Sequence, residues 1–203
     1  MSEPPFERHH TATAYVVAGG RTLLLWHRKL RMWLPPGGHL EPNEDPVQGA
    51  MREALEESGL TVDVIPPAGL LVVDRPLVLP PPAVMLVEDI VRDDRPFHQP
   101  IDHVYFTIAR SGVDFDARIP HGEHRWCCGE ELAEAFSLPA PDGTLVPVAE
   151  DVRVLGIRAL AAAAALEPCS GTPPRPSTGS FSSMRSAAGC CGRSKRCARS
   201  GTR

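Results

Sequence analysis

The chain has 203 residues and a formal net charge of −4, enough for one domain with a sizeable core or for a domain plus a tail. Charge is unevenly spread: residues 1–166 carry 14 Lys and Arg against 24 Asp and Glu, whereas residues 167–203 carry seven basic residues against Glu167 alone. A span of about 20 apolar residues is excluded, because the most apolar regions, Leu70–Val73 and Ala83–Val87, are separated by Asp74, Arg75 and several prolines.

In chain order, Thr11–Ala18 and Thr22–His27 read as strands joined by Gly19-Gly20, a two-residue hairpin signal between aliphatic and β-branched runs. Residues 33–45, WLPPGGHLEPNED, are so rich in Pro, Gly and Asn that they read as an ordered loop. A helix should follow over Pro46–Ser58, with Asp45 as its cap, Pro46 in the first turn, Gln48 closing a capping box and Gly59 as the left-handed stop. Thr61–Ile65, Ala83–Val91 and His103–Ala109 read as strands. The segment FHQPIDHVYF contains His98, Asp102 and His103 but no helical i, i+4 histidine pair, so it reads as a polar loop leading into a strand. Glu130–Phe136 should be a short helix and Val148–Leu166 a longer, alanine-rich one.

Beyond Glu167 the chain turns to Ser, Gly, Pro, Arg and Cys, with too few large apolar side chains to offset the entropy of ordering. The expected organisation is one domain over 1–167 and a disordered basic tail over 168–203. With a single aromatic, Phe181, the tail offers no stacking platform for nucleic acid. Its Cys190-Cys191 and Cys197 lack the paired spacing of a zinc site. The cysteines do not form the even spread of a disulfide framework, and no secretory signal is visible, so a cytoplasmic location is expected.

On the 46–58 helix, Glu53, Glu56 and Glu57 stand at i, i+3 and i+4 and share one face. The neighbouring stripe of Val47, Ala50, Met51, Ala54 and Leu55 should dock the helix on a sheet. Like charges at these spacings destabilise a helix by a few tenths of a kcal/mol each, about 0.2–0.5, so a neutralising partner is expected. A solvated acidic face would account for EALEE alone. The flanking residues tip the balance: from Gly38 the chain reads GHLEPNEDPVQGAMREALEESGL, which is Gly, five residues, Glu44, seven residues, Arg52-Glu53, an apolar residue, Leu55, Glu56-Glu57, Ser58, Gly59 and Leu60.

This pattern resembles the complete Nudix box, and the resemblance extends loosely over residues 11–166. It implies an α/β/α sandwich with a mixed sheet, and an enzyme that hydrolyses the diphosphate linkage of a nucleoside diphosphate-linked or nucleoside triphosphate substrate with Mg²⁺ or Mn²⁺. The expected partner is a small nucleotide, with no membrane and no nucleic acid; a homodimer is compatible with the sequence, which does not set the oligomeric state. By similarity, the Gly37 carbonyl with Glu53, Glu56 and Glu57 would hold metal, and Arg52 would keep the acidic cluster and Glu44 in register. Glu53 or Glu56 would serve as general base, or Glu123 from the later HGEHRW segment. The alternative reading is a catalytically silent nucleotide sensor, for which three mutually repelling acids have no use.

Among residues that would set substrate choice, Trp33 reads more naturally as packing beneath the loop than as a base-stacking platform. His39 would either touch phosphate or face solvent, and Arg28, Lys29 and Arg31 would either attract a polyphosphate or form a solvated basic turn.

Overall fold

The computed structural model describes residues 7–71, 73, 75–89, 98–110 and 112–166. The expected disordered tail over 168–203 and the end of the expected 83–91 strand lie outside them. Ten strands and three helices follow in the order β1 (Glu7–Ala18), β2 (Arg21–His27), β3 (Met32–Leu34), β4 (Gly37–His39), α1 (Pro46–Ser58), β5 (Val62–Val64), β6 (Val84–Val87), β7 (His98–Ala109), β8 (His124–Cys128), α2 (Gly129–Ala133), β9 (Ser137–Pro139), β10 (Leu145–Pro147) and α3 (Glu150–Ala164).

The sheet grows outward from β1 and β7, which run parallel from Glu7↔His98 to Val17↔Ile108. Each long strand is flanked by two short antiparallel partners. β1 pairs with β4 near its start and with β2 at its end, while β7 pairs with β6 and then β5. β2 continues the sheet to β3 and β8, and β9 with β10 forms a separate small ribbon.

Alternation along the central strands divides the core between two faces, because successive strand side chains point to opposite sides. Ala12, Ala14 and Val16 of β1 and Tyr105 of β7 pack under Ala50 and Ala54 of α1. Tyr15, Val17, Val104 and Phe106 face the other way, against Leu155, Ala159 and Ala163 of α3. A third cluster around Leu24, Trp26, Trp33, Leu132 and Val152 closes the β2 end. The result is a mixed sheet between helices, the α/β/α sandwich implied by the resemblance. Among the described residues, no helix is long and apolar enough to cross a membrane.

Several sequence expectations are corrected. Residues 33–45 are not all loop: Trp33 and Leu34 belong to β3, and Gly37–His39 form β4, a strand that exists because its backbone is paired to Thr11, Ala12 and Thr13. The FHQPID segment is not a loop from His98 onward, since β7 begins there and pairs with β1 from His98 to Ile108. His124–Cys128 form β8, a strand absent from the sequence reading, and Glu123 stands immediately before it. Leu55, placed on the docking stripe of α1, is 49% exposed, because the helix rests on the line of Ala50, Ala54 and Ser58 and turns Leu55 outward.

Candidate metal and catalytic site

Local signals hold α1 at both ends. The Asp45 side chain accepts hydrogen bonds from the Val47 and Gln48 amides, the Gln48 side chain accepts one from the Asp45 amide, and Pro46 sits where no amide proton is needed. Gly59 stops the helix at φ 75°, its amide donating to the Leu55 carbonyl. Such a cap contributes about 1 kcal/mol. Its consequence is positional, since α1 is fixed in register against β4 and Glu53 and Glu57 reach two successive residues of that strand.

Glu57 accepts a hydrogen bond from the Gly37 amide at 3.1 Å through Oε2. Glu53 lies against Gly38 so closely that a Cβ on Gly38 would stand 2.3 Å from its Oε1. Gly37 is equally constrained, because a Cβ there would meet the Thr13 hydroxyl at 2.7 Å and the Ala12 carbonyl at 3.0 Å. Both glycines are therefore needed for close approach: one lets β4 lie against β1, the other admits a carboxylate to β4.

Arg52 organises the cluster with all five of its N–H donors. Nε and Nη2 grip the two oxygens of Glu44, each at 2.9 Å. Nη1 reaches Glu53 at 2.8 Å and Glu56 at 3.2 Å, and Nη2 also donates to the His39 carbonyl at 2.9 Å. The forked contact with Glu44 holds that carboxyl below the usual range and raises the guanidinium further above its own. Glu44 also accepts the Glu41 amide, so the arginine ties the loop before α1 to the helix.

Glu57 behaves oppositely. Burial raises its carboxyl above the ordinary value, against the lowering effects of the Gly37 amide and of His121. His121 was not foreseen as a site residue. Its Nδ1 lies 3.1 Å from Glu57 Oε1 and its Nε2 lies 3.1 Å from the Trp26 carbonyl, while its amide donates to the Glu57 carbonyl. The HGEH segment drew attention in the sequence only for Glu123, which is exposed at the start of β8 and bonded to the Trp26 amide through its backbone carbonyl.

The three acids thus lie along the second half of α1 with two sets of partners: Glu57 is held by Gly37 and His121, while Glu53, beside Gly38, and Glu56, 57% exposed, share Arg52. Among the described residues, the group of three ligand side chains with donor atoms all within 4.8 Å of one another is a set of histidines.

Of the residues weighed for substrate choice, Trp33 is 3% exposed and packs on Trp26 at 5.5 Å between ring centroids, so it serves the core. Arg28, Lys29 and Arg31 lie exposed in the turn between β2 and β3, and Arg31 is paired with Asp142 at 2.8 Å. Cys127 is buried and Cys128 half-buried.

The model of the NUDIX domain matches residues 7–149. A NUDIX-family hydrolase from Clostridium perfringens of known structure is 27% identical, with a TM-score of 0.55 over 76% of this chain and 97% of that one. A MutT protein from Methanosarcina mazei Go1 is 18% identical, with a TM-score of 0.48 over 78% of this chain and 96% of that one. Among curated proteins, an m7GpppN-mRNA hydrolase NUDT17 from Bos taurus is 59% identical over 29 residues, which is 14% of this chain and 10% of the relative. The chain thus spans about a tenth of the length of the curated relative it matches. With a family match that runs from β1 through β10, the chain belongs to the NUDIX family.

Proposed function

We propose that this protein cleaves the diphosphate linkage of a nucleoside diphosphate-linked compound or a nucleoside triphosphate, with Mg²⁺ or Mn²⁺ held by Glu53, Glu56, Glu57 and the Gly37 carbonyl. The observation that carries the reading is the arrangement around Arg52, in which one fully engaged guanidinium gathers Glu44, Glu53 and Glu56 beside a glycine strand that also binds Glu57. The donor set fits a hard divalent ion, since it consists of carboxylate and carbonyl oxygens. Glu57 supports the fit further: a carboxylate raised by burial is one whose charge is poorly solvated, and a bound cation relieves that cost.

When bound, the ion would offset charge on the diphosphate oxygens and lower the pKa of a water. The chain's own part is to position and to move a proton. Arg52 keeps Glu53 and Glu56 in register, and the Gly37 amide with His121 orients Glu57. Glu53 or Glu56 would accept the proton of the water that attacks phosphorus in line, or Glu123 would do so in their place from the segment that also carries His121. The exposed Arg28 and Lys29 favour approach of a polyanion.

The test is a panel of ADP-ribose, NADH, dinucleoside polyphosphates, m7G-capped RNA and normal or oxidised dNTPs, incubated with purified protein in Mg²⁺ and in EDTA. The reading requires phosphoanhydride cleavage of at least one member that EDTA abolishes. Binding without turnover across the panel would favour the silent sensor instead.

A further inference from the structure

We propose that His9, His39 and His98 form a second metal site, separate from the glutamates and suited to zinc. The three imidazoles offer one ring nitrogen each, and these atoms lie within 4.8 Å of one another. His9 sits in the middle, with its ring centroid 4.3 Å from that of His39 and 4.0 Å from that of His98. Stacking accounts for ring overlap but does not require three nitrogens to converge.

The ladder register shows how three distant positions meet. Residues paired across strands share a face, and residues two apart along a strand share it too. His39 of β4 pairs with Thr11 of β1, and His98 of β7 pairs with position 7 of β1. Positions 7, 9 and 11 of β1 alternate together, so His9 lies between its two partners on one face of the sheet. That face is the α3 side, shared with Tyr15 and Val17. Gly38, which pairs with Ala12, is on the other face, where Glu53 of α1 meets it. The sheet itself therefore separates the histidines from the carboxylates, although His39 and Gly38 are neighbours in sequence.

The chemistry of the set separates the two sites as well. Neutral imidazole suits zinc and neighbouring transition ions, whereas Mg²⁺ selects oxygen. Three protein nitrogens leave one position of a tetrahedral ion open for water. Each ligand stands on hydrogen-bonded β-structure, so side-chain rotation rather than backbone movement closes the site. A zinc ion here would fasten the start of β1 to β4, the strand that carries Gly37 and Gly38.

The test uses the full chain with Cys169, Cys190, Cys191 and Cys197 changed to Ser, so that tail thiols take up no zinc, dialysed against Zn²⁺ in a large excess of Mg²⁺. The expected result is one zinc per chain that Mg²⁺ does not displace, with an X-ray absorption shell of nitrogen at about 2.0–2.1 Å and no sulfur. His9→Ala and His98→Ala should each weaken uptake by at least about tenfold, while Glu57→Gln leaves it unchanged. Should either histidine variant fail to fold, imidazole NMR on the unaltered histidines decides: zinc must shift His9, His39 and His98 and leave His121 in place. Loss of zinc to Mg²⁺, a sulfur shell, parent-like uptake in both histidine variants, or shifts confined to other histidines overturns the site. Because the glutamate site is read by nucleotide turnover in Mg²⁺ alone, failure of one assignment leaves the other standing.

Discussion

Replacing Gly38 with Ala perturbs the glutamate site through a single methyl group. The backbone of Gly38 is outside the left-handed region, so alanine adopts it without strain. Its Cβ would stand 2.3 Å from Glu53 Oε1 and 2.7 Å from the carboxyl carbon, so Glu53 must withdraw by about 1 Å to reach ordinary contact at 3.4 Å. The yielding group is the end of a flexible side chain, which keeps the stability loss to less than about 1 kcal/mol. Function is more sensitive. A displacement of about 1 Å in a catalytic constellation costs roughly 100-fold in rate, or about 2.7 kcal/mol of transition-state stabilisation. Initial rates on the best substrate of the panel, taken beside a melting curve, separate the two effects. A folded Gly38→Ala enzyme with parent-like turnover would refute the placement of Glu53 at the reaction centre.

Arg52→Lys keeps the charge but replaces five donors with three and loses the forked grip on Glu44, so steady-state turnover should fall at least tenfold, about 1.4 kcal/mol, in a protein that still folds. Asp102, 7% exposed and bonded to the Thr11 hydroxyl at 2.9 Å, is raised by burial, so the folded state holds its proton more tightly than the unfolded chain does. Its stability contribution is therefore full below the unfolded pKa and is lost as pH rises through the folded one. Melting temperatures should show Asp102→Asn gaining on the parent between pH 4.5 and pH 8; a gap that stays constant or narrows over that range would count against the assignment. Burial pushes the Cys127 thiol up to about 12, so alkylation at pH 8 followed by peptide fragmentation should find it unmodified in the folded protein.

The most legible parts of this molecule are those whose causes are local. Asp45, Pro46, Gln48 and Gly59 specify α1 within fifteen residues, and each was found in its expected role. The β1–β2 turn was equally plain, with Gly19 and Gly20 at φ 52° and 72°. The three-residue strands β3 and β4 were hidden because pairing rather than propensity makes them, and two of the three β4 residues are glycines. The start of β7 was hidden for the same reason: His98, Gln99 and Pro100 are extended because β1 lies beside them. The spacing of Glu53, Glu56 and Glu57 gave a shared helix face, yet could not show that Glu57 is half-buried against His121 while Glu56 remains in solvent. His121 reaches Glu57 through a loop contact between segments far apart in the chain, and the meeting of His9, His39 and His98 depends on strand register; no short motif encodes either.

Hydrolysis by Glu57→Gln, compared with the parent in saturating Mg²⁺, tests the central claim most directly. Glutamine preserves size and an acceptor for the Gly37 amide but removes the charge that a cation requires. The account predicts that turnover collapses by at least about 100-fold with the fold intact. Near-normal turnover in that variant would contradict it.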